Sequence, residues 1–386
     1  MGSLPSPTQS SMPPESNLSS HHRVYASFCR REPEPTKSSN ISNWIECYSP
    51  CNNTWSHVSS IPDLIDNQVL KGFSMVSIGD SIYIIGGRLC HKRRASEDED
   101  DHQFVDVDVD VLPQVLCYNV ESNQWTKCAS MVAPRYDFAC TILDNKIYVA
   151  GGKSSLSSCR GISSAEVYDP QIDEWTALPN MTALRYKCVG VTWQGKIHVV
   201  GGFAERADSD ERVERVEFTE RSSAEVYDTR AGKWDLVARM WQLDIPPNQI
   251  VALDNRLFSS GDCLKAWKGH IEAYDGELNI WNEVDGSHLQ TLNSPISRSS
   301  ITDDHDHDDG DYCPPNQRLY LTMTPIGTHL YFLVGHRTAG ELSRTMSMVH
   351  TFDTRATSDA WRSFEPMIED GEKELCSHCC VVQQLS

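Results

Sequence analysis

The chain has 386 residues, a formal net charge of −20 and 39% hydrophobic residues. That length exceeds what one ordinary compact core serves, and it points to several domains or one large repeat architecture. The acidic surface repels nucleic-acid phosphates and anionic membranes, so neither is expected as a partner. No run approaches the roughly 18 apolar residues of a membrane span.

Residues 1–21 are rich in Ser and Pro and lack the apolar segment of a secretory signal, so a disordered tail is expected there. Gly2 and Ser6 fit a loose N-myristoylation pattern, but the second anchoring signal is missing. The expected compartment is the cytoplasm, with the nucleus second because of a weak basic patch, "HKRR" at 91–94. The fourteen cysteines are scattered through apolar stretches and read as reduced, packed thiols. "CSHCC" at 376–380 invites a zinc reading through Cys376, His378 and Cys379, and "CYSPC" stands at 47–51. A strong zinc motif needs paired CxxC units, and no second matching unit exists. No metal and no cofactor are expected.

The heptapeptide "SSAEVYD" occurs at 163–169 and again at 222–228. Each copy ends a longer unit: an apolar run, a tight turn, a second run ending Gly-Gly, a variable loop, a third run ending Tyr-Asp, and a fourth beginning at Trp. Short β-rich runs joined by Asp-Asn or Gln-Gly turns are hairpin strands. Each unit is therefore a four-stranded antiparallel meander, with strands a to d.

In chain order, "RVYASFC" and "WIECYSPCNNTWSHV" supply strands b, c and d without an a. "GFSMVSIGDSIYIIGG" with "VLCYNVESNQW" is the first full unit, and the two heptapeptide units follow. "NQIVALDNRLFSSGD" with "IEAYDGELNIW" is a worn fourth, and "RLYLTMTPIGTHLYFLVGH" with "VHTFDTRATSDAW" a fifth. The final run, "HCCVVQQ", is a strand a with nothing after it, so joining both ends completes a sixth unit. An aromatic precedes Trp by seven residues in Tyr48–Trp55, Tyr118–Trp125, Tyr168–Trp175, Tyr227–Trp234 and Tyr274–Trp281, and by nine in Phe352–Trp361.

The doublets Gly86–Gly87, Gly151–Gly152 and Gly201–Gly202, each followed by a Tyr and then a Trp, resemble the kelch family. Kelch units run to about 50 residues, each one blade of a propeller. The resemblance implies an all-β, six-bladed β-propeller over residues 22–386. Its sixth blade would join the N-terminal strands to the C-terminal strand. Ser260–Gly261 and Val334–Gly335 stand where the fourth and fifth units should carry the doublet. Tyr and Trp are expected to stack between blades and build the core.

In such blades the a–b and c–d turns share one face, and the b–c and d–a loops share the other. The a–b and c–d turns are short, while the excess length lies in b–c and d–a, which marks that face for binding. Strand a is approached there by Lys71, by Arg135, Tyr136 and Asp137, by Arg185, Tyr186 and Lys187, and by Arg318 and Tyr320. Tyr and Arg are favoured interface types. The resemblance implies that side chains at these positions ring a central pocket; the alternative is a repeat-internal salt bridge for each Arg. On the binding reading, reversing charge at Arg185 and Lys187 should weaken a partner and leave folding intact. Two acidic insertions, at about 91–111 and 293–316, are expected to be disordered. The stretch 205–221 is read as a short charged helix or a solvated loop.

The leading expectation is a non-enzymatic module that binds a protein partner, as a monomer or weak oligomer. The propeller is similar to that of plant F-box/kelch proteins, but residues 1–40 hold two leucines and no F-box. A role as substrate receptor of a ubiquitin ligase would then need a separate adaptor. The alternatives are a kelch-type enzyme, either an oxidase or a metal-dependent lyase, and an actin-binding protein. No E-x-x-x-D-x-x-x-H set supports the lyase.

Overall fold

A computed structural model describes residues 21–32, 42–65, 67–94, 104–206, 221–243, 245–261, 271–284, 318–338 and 344–384. The chain is all-β and is organised as the meanders require. Sheet 1 pairs Ser74–Ile78, Ser81–Ile85, Val115–Asn119 and Gln124–Cys128 as strands a to d. Sheet 2 uses Ala139–Leu143, Lys146–Ala150, Ala165–Asp169 and Glu174–Leu178. Sheet 3 uses Val189–Trp193, Lys196–Val200, Ala224–Asp228 and Lys233–Val237. Sheet 4 uses Ile250–Leu253, Arg256–Ser259, Glu272–Asp275 and Ile280–Glu283. Sheet 5 uses Arg318–Ile326, His329–Thr338, Arg344–Asp353 and Trp361–Ser363, with Met367–Asp370 also paired to its strand c. Sheet 6 takes strand a from Lys373–Gln383 and strands b to d from His22–Arg30, Trp44–Ser49 and Thr54–Ser60.

The a strands touch one another in the order 1, 2, 3, 4, 5, 6 and back to 1, so the sheets close a ring. Closure leaves no open strand on the inner circumference. The join is long: His22 pairs Gln383 and Arg30 pairs Lys373, with a register shift near Ser27. Apolar side chains do not form one central core. They form six clusters, one at each contact between neighbouring sheets.

The turns explain the register. Asp144 and Asn145, Gln194 and Gly195, and Asp254 and Asn255 all hold positive φ at the a–b corners. Two successive left-handed residues give the type I′ turn that matches strand twist, which is why Asn, Asp and Gly stand there. The Gly-Gly doublets have a second reason. A Cβ on Gly86 would lie 2.6 Å from the Arg135 carbonyl oxygen, and one on Gly151 would lie 2.7 Å from that of Arg185. Each first glycine lets the next sheet's chain pass against it.

The aromatic pairs stack within sheets as well as between them. Tyr48–Trp55, Tyr118–Trp125, Tyr168–Trp175, Tyr227–Trp234 and Tyr274–Trp281 stack within a sheet, directly opposite each other on strands c and d, with centroids 5.0–5.2 Å apart. Phe352 and Trp361 do the same at 5.0 Å despite their longer turn. They also reach between sheets: Tyr168 meets Tyr83 of sheet 1 at 6.0 Å and Tyr274 meets Trp193 of sheet 3 at 5.7 Å, while the indole N–H of Trp175 donates to the Ala129 carbonyl at 2.9 Å and that of Trp234 to Pro179 at 2.7 Å.

The loop face carries two further sheets. Gln68–Lys71, Arg88–Arg94 and Phe104–Val111 form three antiparallel strands, and Ala183–Tyr186 pairs Phe203–Arg206. This corrects the expectation of disorder over 91–111: residues 91–94 and 104–111 are strand. The Val and Asp residues of "FVDVDVDV" suit a pleated edge, and Lys71, Lys92 and Arg88 pair with Asp106 and Asp108. Residues 95–103, the 293–316 insertion, most of 205–221 and nearly all of the N-terminal tail lie outside the described residues.

Candidate functional site

The ring encloses a central cavity of about 640 Å³ whose wall is shared by all six sheets. At its loop-face mouth the backbone of three sheets forms a lip. Gly72, Asp137 and Lys187 occupy equivalent positions just ahead of strand a, and all hold positive φ, at 64°, 52° and 53°. The Asp137 N–H donates to the Gly72 carbonyl at 2.8 Å, and the Lys187 N–H to the Asp137 carbonyl at 2.7 Å. A Cβ on Gly72 would come within 2.6 Å of Asp137 Oδ1, and its φ of 64° also favours glycine there.

The lip carries charge. Asp137 is largely enclosed, and burial raises its pKa against the pull of Lys187, Arg88 and Lys153. Lys187 is exposed. Arg88 lies 5.5 Å from the Tyr136 ring centroid, and the Lys153 ammonium lies 4.2 Å from that of Tyr186. Each cation belongs to the residue after one sheet's Gly-Gly doublet, and each aromatic to the next sheet, so cation–π contacts tie the lip together. Across the cavity, Arg318 lines the wall with Asn248 and His378. Burial lowers the His378 imidazole to about 4, partly offset by a hydrogen bond to the Asn248 backbone.

The repeats that build this mouth match known sequences. The Kelch motif profile matches residues 134–182. F-box/kelch-repeat protein At1g16250 of Arabidopsis thaliana is 34% identical over 129 residues, covering 33% of this chain and 31% of that protein. F-box/kelch-repeat protein SKIP30 of Arabidopsis thaliana is 35% identical over 130 residues, 33% of this chain and 34% of its own length. Kelch-like protein 21 of Homo sapiens is 26% identical over 111 residues, 29% of this chain and 15% of its own. The chain carries a Kelch motif and is similar to kelch-repeat proteins over about a third of its length. The matches span about a third of the plant relatives and less of the animal one.

The geometry sorts the nine sequence candidates. Asp137, Lys187, Arg318 and Tyr320 line the cavity. Tyr320 is nevertheless part of the wall: it is buried, and its hydroxyl donates to Ser347 Oγ at 2.7 Å. Tyr136 is buried beneath Arg88, and Tyr186 is sandwiched between Lys153 and Phe203. Arg135 and Arg185 are wholly buried and form the repeat-internal bridges. Arg135 pairs with Glu166 and donates to the carbonyls of Gly151 and Ser164 at 2.9 and 3.0 Å. Arg185 Nε lies 3.4 Å from Glu225 Oε1, and Arg185 donates to Ser223 Oγ at 2.6 Å. Lys71 turns away from the mouth to Glu374 at 2.7 Å and to Asp106. Burial works against its charge, but Glu374 and Asp106 outweigh that and raise its pKa.

The residues that sequence reasoning missed were partly visible. Ser164, Glu166, Ser223 and Glu225 are the Ser and Glu of the repeated heptapeptide, and they are the acceptors for the two arginines. Arg88 and Lys153 follow the Gly-Gly doublets directly. Asn248 and His378 carry no repeat signal. Cys376, Cys379 and Cys380 are buried in strand a of sheet 6, and Thr322 donates to Cys379 Sγ at 3.3 Å. Among the described residues no group of three or more His, Cys, Asp or Glu side chains is placed to hold a metal ion.

Proposed function

We propose that this kelch chain is a non-enzymatic interaction module that grips a protein partner on its b–c/d–a face, at the mouth of the central cavity. One observation carries the reading. Charged side chains from sheets 2, 3 and 5, namely Asp137, Lys187 and Arg318, converge on an opening of about 640 Å³ held by a closed ring. A rigid scaffold that presents charge at a concave site loses little freedom when it binds. The kelch-repeat names of the relatives support a binding role, and the F-box in two of those names supports recognition of ubiquitin-ligase substrates through a separate adaptor.

The test is affinity purification with mass spectrometry, wild type against a Lys187→Glu, Arg318→Glu variant. A discrete client recovered together with cullin or Skp1-like adaptors, with the client lost in the variant, supports a ligase-linked receptor. Unchanged recovery in the variant would move the site away from the mouth. Recovery of actin would replace the ligase reading.

A further inference from the structure

One position of the repeat is aromatic in five sheets and not in the sixth. It is the strand-b residue that follows the partner of the strand-c aromatic. There stand Tyr25, Tyr83, Tyr148, Phe258 and Tyr331, but His198 in sheet 3. Side chains alternate along a strand, so this position turns toward the following sheet. Tyr83 meets Tyr168 of sheet 2 in this way, and Phe258 shares a core cluster with Phe352 of sheet 5. An imidazole is smaller than a phenol and carries two polar atoms. Where it takes the aromatic's place, sheets 3 and 4 border a cleft of about 920 Å³.

The wall of the cleft offers an acceptor and an aromatic face. His198 is only 6% exposed and lines the cleft. Its Nδ1 donates to the Lys196 carbonyl at 3.3 Å, which fixes the tautomer and leaves Nε2 an acceptor with no partner among the described residues. Trp193 stands beside it, with ring centroids 5.4 Å apart, where strand a of sheets 1, 2 and 4 ends in Ile78, Leu143 or Leu253. Its indole N–H crosses to the Asn255 carbonyl of sheet 4 at 2.9 Å, and its ring meets Tyr274 edge-on. Gly276 makes room for it, since a Cβ there would lie 3.0 Å from the indole.

The rim is acidic and lacks the cation its neighbours have. In sheets 2 and 3 the aspartate closing strand c pairs with the lysine opening strand b, Asp169 with Lys146 at 2.8 Å and Asp228 with Lys196 at 2.9 Å. Sheet 4 has Asp275 and Arg256 in those places, but the Arg256 guanidinium lies over Phe258, 5.1 Å from the ring centroid. Asp275 accepts only the backbone N–H groups of Glu277 and Leu278, at 2.9 and 3.0 Å. Glu277 and Glu283 border the same cleft, are exposed, and make no ion pair among the described residues. We propose that this cleft takes an arginine side chain from a partner protein. The guanidinium plane stacks on Trp193, donates to His198 Nε2 and pairs with Asp275. Lysine fits less well, because its compact, strongly hydrated ammonium has no plane to lay on the indole. The cleft is bordered by the a–b turns of sheets 3 and 4 and the c–d turn of sheet 4, on the face opposite the cavity mouth, so the assignment stands apart from what the mouth receives.

The probe is N-acetyl-arginine amide, titrated against the full chain by saturation-transfer NMR, which reads weak binding from the ligand's own signals. N-acetyl-citrulline amide, the same shape without the charge, and N-acetyl-lysine amide serve as comparisons. Wild type should bind the arginine probe at least about tenfold more tightly than either. His198→Tyr restores the residue of sheets 1 and 2, fills the cleft and should abolish binding. Asp275→Asn, at the surface, should weaken it about tenfold and carries the test if the first variant misfolds. Glu121→Gln, at the equivalent of Glu277 in sheet 1, should bind like wild type, which separates the cleft from the general attraction of a chain of net charge −20. Absence of binding by wild type, undiminished binding by both cleft variants, or equal binding of the citrulline or lysine probe would overturn the proposal. So would binding of free arginine without binding of the capped probe, since the occupant would then be a small metabolite.

Discussion

Arg185 and Glu225 stand forty residues apart in sequence (225 − 185 = 40), both wholly buried, with Nε 3.4 Å from Oε1. Glu225 also accepts the backbone N–H groups of Thr182 and Ala183 at 2.7 and 3.0 Å. The pair thus fastens the segment leading into strand a of sheet 3 to strand c of the same sheet. Glu225→Ala should cost about 3–5 kcal/mol in urea unfolding, because it strands a buried cation and two amides. Arg185→Glu should likewise unfold the chain rather than merely release a partner. Lys187→Glu, two residues on but exposed, should stay within about 0.5 kcal/mol of wild type. Equal effects at both positions would contradict the division between internal bridge and rim.

The Tyr168–Trp175 pair gives a second test. Trp175→Ala should lose about 3 kcal/mol, from the stacked ring and the indole bond to Ala129. Tyr168→Phe keeps the stack and loses only the hydroxyl bond to Asp173, 2.7 Å long. It should cost about 1 kcal/mol. Thermal or urea melts of the two variants would separate the aromatic contribution from the polar one.

Glycines with similar backbone angles should respond differently. Gly151 (φ 70°) faces the Arg185 carbonyl, whereas Gly79 (φ 56°) has nothing within 4 Å of a built Cβ. Gly79→Ala should cost about 1–2 kcal/mol from the left-handed backbone alone. Gly151→Ala adds a clash between sheets 2 and 3 and should be clearly the worse of the two.

Stability should fall in mild acid through buried histidines. Burial pushes the His198 and His350 imidazoles down to about 4; a hydrogen bond to the Lys196 backbone partly offsets this at His198, and His336 beside His350 adds to it. Their folded pKa values lie below the unfolded value of roughly 6.5. The stabilising contribution is therefore complete above about pH 6.5. It is lost as pH falls toward 4, because the unfolded chain takes up protons that the folded chain refuses. Each group contributes up to about 3 kcal/mol across that window. The stability difference between wild type and His198→Gln, measured from pH 7.5 to 4, should shift in this direction. A flat difference would show that His198 is not held neutral.

The repeat was legible because folding wrote it in residues that recur: the glycine doublets, the Tyr–Trp spacing and the turn pairs. Closure by the two ends was legible for the same reason, since each end lacked what the other held. The role of Arg135 and Arg185 was not settled by the sequence. An arginine at the rim and an arginine just beneath it are the same letter, and only the partner on strand c decides. The glutamate of "SSAEVYD" was that partner, but it read as strand composition. Phe104–Val111 was missed because its charge suggested solvation. The cations that neutralise it come from positions 71, 88 and 92, which local charge counting does not join to it. Asn248 and His378 face the cavity from non-repeating positions, so no spacing rule could select them.

The join in sheet 6 also sets an order of events during synthesis. His22–Arg30, Trp44–Ser49 and Thr54–Ser60 leave the ribosome first, yet their fourth strand, Lys373–Gln383, is made more than 300 residues later. At about 5–20 residues per second, that interval is tens of seconds. During it, Val24, Ala26 and Phe28, all buried in the finished ring, lack the strand that covers them. The nascent chain therefore spends most of its translation time with an apolar edge unpaired.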